Sequence, residues 1–265
     1  MNRGLMSSSL KDRAYAFIRE KIVTGVLPPG ERISDLEISK EMGVSRTPVR
    51  EALAHLETQG LVEQEPGFGP KVRRLSREEL VESFELREIL ECGAAAIAAQ
   101  RITDLELREL SELLEEYEAT VQKVGEDCND GPLNWRLSIL DIAFHLKIIE
   151  SVKNQSLLRA VGDIQLLTGI LQRRADVPTV PHSDRLDHVC SDHREILQAL
   201  EARDPSLALA SLQKHLRWAR DFHLEAFDWE QRTQTRAGES SREDAYHPLH
   251  VLKILRRMER GNAPD

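Results

Sequence analysis

The chain has 265 residues, is 40% hydrophobic and 31% charged, and carries a formal net charge of −9. That composition is globular, long enough for one large domain or two with cores of their own, and it excludes a disordered or fibrous chain. No apolar run is long enough to span a bilayer, the start "MNRGLMSSSLKDR" has no signal-peptide core, and three cysteines without a CxxC spacing read as reduced thiols. A cytoplasmic protein with no membrane partner is expected.

The acidity is unevenly spread. Residues 1–75 carry a net charge of +2 and residues 76–265 a net charge of −11. A polyanionic partner would therefore meet the front end.

In chain order, Leu10, Ala14, Phe17, Ile18, Ile22 and Val23 recur at helical spacing, and Gly25 with Pro28-Pro29-Gly30 stops the pattern. A short second helix is predicted from Ser34, as N-cap, to Met42, with Gly43 as its stop. Ser45 then caps a third helix, which has Pro48 in its first turn and ends at Gly60. "LVEQEPGFGPKVRRLS" predicts two short strands around a Pro-Gly turn at 66–70. From Ser76 onward the pattern is helical, near 76–101, 104–123, 133–153, 155–174, 186–203 and 205–228. After Trp229 the sequence turns polar and ends with the amphipathic "LHVLKILRRMER". The expected fold is mainly α: a winged helix-turn-helix in 1–75, an all-helical antiparallel bundle in 76–230, and a polar tail with a short helix in 231–265.

The third helix reads as the DNA-facing one. Arg46 and Arg50 lie four apart on one face, and an arginine fork can grip guanine O6 and N7. The Ser45 and Thr47 hydroxyls and the free N–H groups of the helix start can take phosphate oxygens. Together, "GVLPPGERI", "GVSRTPVREAL" and "LETQGLVEQEPGFGPKV" resemble the DNA-binding domain of the GntR family of bacterial transcriptional regulators, FadR subfamily. The resemblance implies a homodimer on a palindromic operator in double-stranded DNA, repression as the commoner mode, and base and phosphate contacts from Arg46, Thr47 and Arg50. It also implies that a wing glycine, Gly67 or Gly69, nears the minor groove. Phe68 departs from the pattern, standing where relatives often carry a basic residue.

In the body, "LDIAFHLKII" puts Asp141 and His145 one turn apart, a pair that can chelate a cation. His193 and His215 lie on two later helices, and three imidazoles with one carboxylate suit Zn, Ni, Co or Fe. From spacing alone these histidines are equally readable as hydrogen-bonded core residues. His188 and His223 read as bystanders, His182 as a loop residue, and Cys190 as a buried thiol rather than a rival ligand. Residues 76–228, with "SFELREILECGAAAIAA", "DIAFHLKIIESVKNQSLL" and "DHREILQALEARDPSLALASLQKHL", resemble the FCD-type effector domain. That resemblance implies a divalent metal, Zn or Ni, on Asp141, His145, His193 and His215, helping to hold a small organic acid.

Two further residues are read as effector contacts. Arg87 is expected to pair with the ligand carboxylate, its alternative being an intrahelical pair with Glu91, and Asn154 is either a pocket group or a helix stop. No HExxH or similar metal-plus-base motif is present, so an enzyme is not expected. A metal-dependent enzyme with a DNA-binding appendage, using Glu195 as base, and a regulator whose ion is structural or itself the signal, stay open as alternatives.

Overall fold

A computed structural model describes residues 9–124, 131–171 and 182–237. Those residues form two compact units that part between Leu75 and Ser76. In the first, α1 (Leu10–Val23) starts with a capping box in which Ser9 and Asp12 satisfy each other's backbone N–H groups. It buries Ala14, Ile18 and Ile22. Helix α2 (Asp35–Met42) is capped by the Ser34 side chain and closed by Gly43 in the left-handed region at φ 65°. Helix α3 (Arg46–Thr58) turns Val49, Ala52, Leu53 and Leu56 inward. Ser45 occupies its N-cap position as expected, but its side chain makes no capping hydrogen bond, which leaves the hydroxyl unused by the helix.

Strands β1 (Val62–Glu65) and β2 (Gly69–Val72) pair antiparallel, with Val62 opposite Val72 and Glu65 opposite Gly69. Gly67 and Gly69 have φ of 80° and 90°, and an added Cβ would meet nothing within 4 Å at either. Backbone conformation, not space, requires glycine at both positions. Arg32 makes an isolated antiparallel bridge to Lys71 beside the hairpin. Helix, helix, helix and hairpin make the expected winged helix-turn-helix.

The second unit is wholly helical among the described residues: α4 (Arg77–Arg101), α5 (Asp104–Val124), α6 (Gly131–Ser151), α7 (Gln155–Leu171), α8 (His182–Glu201) and α9 (Pro205–Ala237). The connections are short and chemically marked. Lys153 and Arg203 sit at φ of 61° and 56°, each followed by a cap: Asn154 Oδ1 accepts from the N–H groups of Ser156 and Leu157, and Asp204 Oδ1 from those of Ser206 and Leu207. The ion pairs Arg77–Asp228 and Glu88–Arg217 show α4 and α9 to be antiparallel. Ala95, Ala98 and Ala99 on α4 share one core with Phe144 and Ile148 of α6, Ile196 and Leu200 of α8 and Leu212 and Leu216 of α9. Small side chains on α4 let its neighbours approach closely.

Two boundaries differ from expectation. Helix α8 begins at His182, so that residue is not in a loop. Helix α9 continues to Ala237, beyond the break read at Trp229, because "EQRTQTRA" is polar yet holds no helix-stopping residue. The expected tail helix, "LHVLKILRRMER", lies outside the described residues.

Candidate functional site

The first turn of α3 buries Pro48 and Val49, and so leaves Ser45, Arg46, Thr47 and Arg50 exposed. Both arginines converge on one carboxylate. Arg46 Nη2 donates to the two Asp35 oxygens at 2.8 and 3.0 Å, and Arg50 Nε donates to Asp35 Oδ2 at 2.5 Å. Burial pushes the Asp35 carboxyl up, but hydrogen bonds from Arg50 and Arg46 outweigh it and hold the group below its ordinary range. At the hairpin tip Phe68 is 62% exposed, with the Arg32 guanidinium 4.2 Å from its ring centroid. Lys71 is paired with Glu63 and Arg32 reaches Glu65, so the wing carries little free positive charge.

In the second unit Asp141 and His145 of α6, His193 of α8 and His215 of α9 present one ligand atom each, all within 4.8 Å of one another. The three imidazoles are buried, whereas the Asp141 side chain is 31% exposed, so the cluster opens toward solvent on the Asp141 side. Burial lowers the His193 imidazole below its ordinary range and takes His215 to about 4. Burial raises Asp141, but the three surrounding imidazoles, His193 foremost, more than reverse it. The lowered His193 and His215 and the lowered Asp141 all move toward the protonation states a divalent cation requires. His193 Nε2 stands 3.3 Å from Asp141 Oδ1 without hydrogen-bond geometry, and neither of its buried ring nitrogens has a partner. Unpaired buried nitrogens aimed at a carboxylate fit a metal ion.

Two further carboxylates stand behind the cluster. Glu91, fully buried on α4, accepts from His145 Nδ1 at 2.8 Å through Oε2, and from Arg87 Nε at 2.7 Å and Gln165 Nε2 at 2.9 Å through Oε1. Burial raises its carboxyl, but Arg87 and His145 bring it down to about 2. Asp192, buried on α8, lies 3.4 Å from His215 Nδ1, 3.3 Å from His188 Nε2 and 3.0 Å from Lys214 Nζ. The sequence reading names neither as part of the site. Glu91 enters it only as a rival partner for Arg87, and Asp192 precedes His193 directly, a spacing that turns two helical side chains to different faces.

The description "Bacterial regulatory proteins, gntR family" matches residues 10–72, and "FCD domain" matches residues 82–217. The chain belongs to the GntR family. It is 32% identical over 218 residues, 82% of its length and 88% of the relative's, to a probable D-xylose utilization operon transcriptional repressor of Paenarthrobacter nicotinovorans. It is 34% identical, over 71% of its length and 83% of the relative's, to the Nta operon transcriptional regulator of Aminobacter aminovorans. Among solved structures, Escherichia coli McbR/YncC superposes with a TM-score of 0.68 at 23% identity, covering 83% of this chain and 99% of that one, a likeness of fold. The GntR-family protein is thus a DNA-binding transcriptional regulator with an FCD domain, and these relatives are regulators rather than enzymes.

The remaining residues of this GntR-family regulator sort themselves by contact. Arg87 is buried and bound to Glu91, the intrahelical alternative to a ligand-facing role. Asn154 is exposed and its side-chain oxygen caps α7, the helix-boundary alternative to a pocket role. Glu195, the base of the enzyme alternative, lies at the surface against Lys214. The Cys190 thiol is pushed up to about 11 by burial, which makes it a poor ligand beside neutral imidazoles. No described helix is long and apolar enough to cross a membrane.

Proposed function

We propose that the protein is a cytoplasmic, homodimeric repressor whose grip on a palindromic operator is set by a small carboxylate-bearing metabolite in the FCD domain. A divalent ion, Zn or Ni, held by Asp141, His145, His193 and His215 would supply Lewis-acidic positions to which that carboxylate binds. The observation that carries the reading is the convergence of three buried imidazoles and one carboxylate from three helices within 4.8 Å. Asp141 marks the entry side, since it alone of the four is partly open to solvent. The operon regulators among the relatives support a role in switching a catabolic operon.

On the DNA side, Arg46 and Arg50 read base edges while Ser45, Thr47 and the first N–H groups of α3 take phosphates. Gly67 and Gly69 let the wing approach the backbone closely. The metabolite weakens the operator complex only if it binds better to the arrangement that does not fit DNA.

The test is elemental mass spectrometry of the purified chain beside an Asp141→Ala/His193→Ala variant, followed by operator binding with a panel of carboxylic acids. About one ion per chain is expected in the wild type, none in the variant, and an acid-dependent change in DNA affinity in the wild type alone. No ion in either protein, even after incubation with Zn or Ni, removes the metal-anchored effector and leaves DNA binding untouched. Chelation that changes DNA affinity with no response to any acid makes the ion itself the signal.

A further inference from the structure

We propose that Glu91 and Asp192 are positioning residues of the metal cluster, each holding the Nδ1 of one imidazole so that its Nε2 is offered to the ion. The proposal rests on the metal-site reading above and extends it from the four ligands to the groups that orient them.

A neutral imidazole has one N–H and one lone pair, and an ionised carboxylate can only accept. Glu91 Oε2 lies 2.8 Å from His145 Nδ1, and Asp192 Oδ2 lies 3.4 Å from His215 Nδ1. The Glu91 bond places the proton of a neutral His145 on Nδ1, and the Asp192 carboxylate, an ion-pair contact short of hydrogen-bond geometry, favours the same tautomer at His215, which leaves the lone pairs on Nε2. Those two Nε2 atoms face each other at 3.2 Å. With one proton on each ring, held at Nδ1, neither Nε2 can donate to the other, and two facing lone pairs repel unless a cation lies between them. Nitrogens each about 2.0–2.1 Å from one ion and adjacent in its coordination shell stand about 3 Å apart, so the spacing is that of a shared ligand pair.

The carboxylates are themselves fixed. Glu91 is fully buried, and a lone charge there would be costly. Arg87 and Gln165 occupy its other oxygen and lock it, joining α4, α6 and α7 at one group. Asp192 is held from the surface side by Lys214 and His188. His193 differs. Among the described residues no carboxylate pairs with its Nδ1, and its orientation comes from stacking on Phe144 at 4.3 Å between ring centroids with a 12° tilt. Two ligands are thus oriented by charge and one by packing.

The full-length chain is titrated with Zn²⁺ against a chromophoric chelator, as wild type, Glu91→Gln, Asp192→Asn and the control Glu88→Gln, which removes the α4–α9 ion pair of a carboxylate whose partners, Gln213 and Arg217, are not among the four ligands. A glutamine amide can donate to Nδ1 and move the proton to Nε2, so Glu91→Gln and Asp192→Asn should each weaken Zn²⁺ binding about 10–100-fold. Glu88→Gln should leave it unchanged. Imidazole ¹⁵N spectra of the Zn-loaded wild type should show His145 and His215 protonated at Nδ1, a signature that a merely structural role would not fix. Should Glu91→Gln fail to fold, Asp192→Asn and the wild-type spectra still decide. Wild-type affinity in both carboxamide variants, or Nε2-protonated rings in the loaded wild type, overturns the proposal. A wild type that binds neither Zn nor Ni removes the metal-site reading instead.

Discussion

Glu106 shows how much one side chain can do at a helix start. Its carboxylate accepts from Thr103 N at 2.9 Å and Thr103 Oγ1 at 2.8 Å, closing the first turn of α5, and it also pairs with Lys153 in the turn between α6 and α7. The Lys153 and Thr103 bonds, opposed only by burial, lower its carboxyl from the ordinary 4.5 to about 2. A carboxyl depressed in the folded state stabilises fully above its unfolded value and loses that contribution as pH falls toward the folded value. Lys153 is 62% exposed, so solvent screening trims the gain to about 1–2 kcal/mol at neutral pH. Thermal melts of Glu106→Gln should show a lower Tm than wild type at pH 7. The two curves should converge between pH 4.5 and 2, and a constant gap down to pH 2 would contradict this account.

At the scale of elements, α3 carries a prediction and a lesson. Arg46→Ala or Arg50→Ala should weaken operator binding by about 1–3 kcal/mol and relax the preference at one base position, read by fluorescence anisotropy on a duplex selected by the wild type. Fold stability should hardly change, since both side chains are exposed. Such helices are legible in sequence because their ends are written in short-range chemistry: Ser34 with Gly43, Ser76 with Glu79, Asp204 before Pro205. The end of α9 is not, because the polar residues after Trp229 have neither an apolar period nor a stop. Within the candidate site, Asp141 and His145 are readable as a pair because they share one helix turn. His193 and His215 come together only through packing of α8 on α9, and family resemblance, not spacing, points to them. Glu91 and Asp192 stay invisible for the same reason, since each finds its imidazole on another helix.

For the whole molecule, an ion on the cluster ties α6, α8 and α9 together and should act as a stabilising ligand of the helical unit. At a free concentration 100-fold above its Kd the ion adds about 2.7 kcal/mol, or roughly 5–10 °C in Tm for a unit of this size. Calorimetry with and without a chelator should show that shift in the wild type and none in Asp141→Ala/His193→Ala. A chelator-insensitive wild type would mean the four side chains pack without an ion. Charge is divided along the chain in the same way as the work, since the bundle is acidic and the reading domain nearly neutral.

Asp35 gives that near-neutrality a kinetic meaning. In the free protein it already occupies the two arginines that would meet the operator. Random genomic phosphates must compete with an intramolecular carboxylate, so each encounter off target gains less than two bare guanidinium groups would provide. Only a site offering paired acceptors on base edges to both arginines compensates for displacing Asp35. A protein built this way would leave unproductive DNA quickly, and a small number of copies would survey a chromosome without being trapped on it.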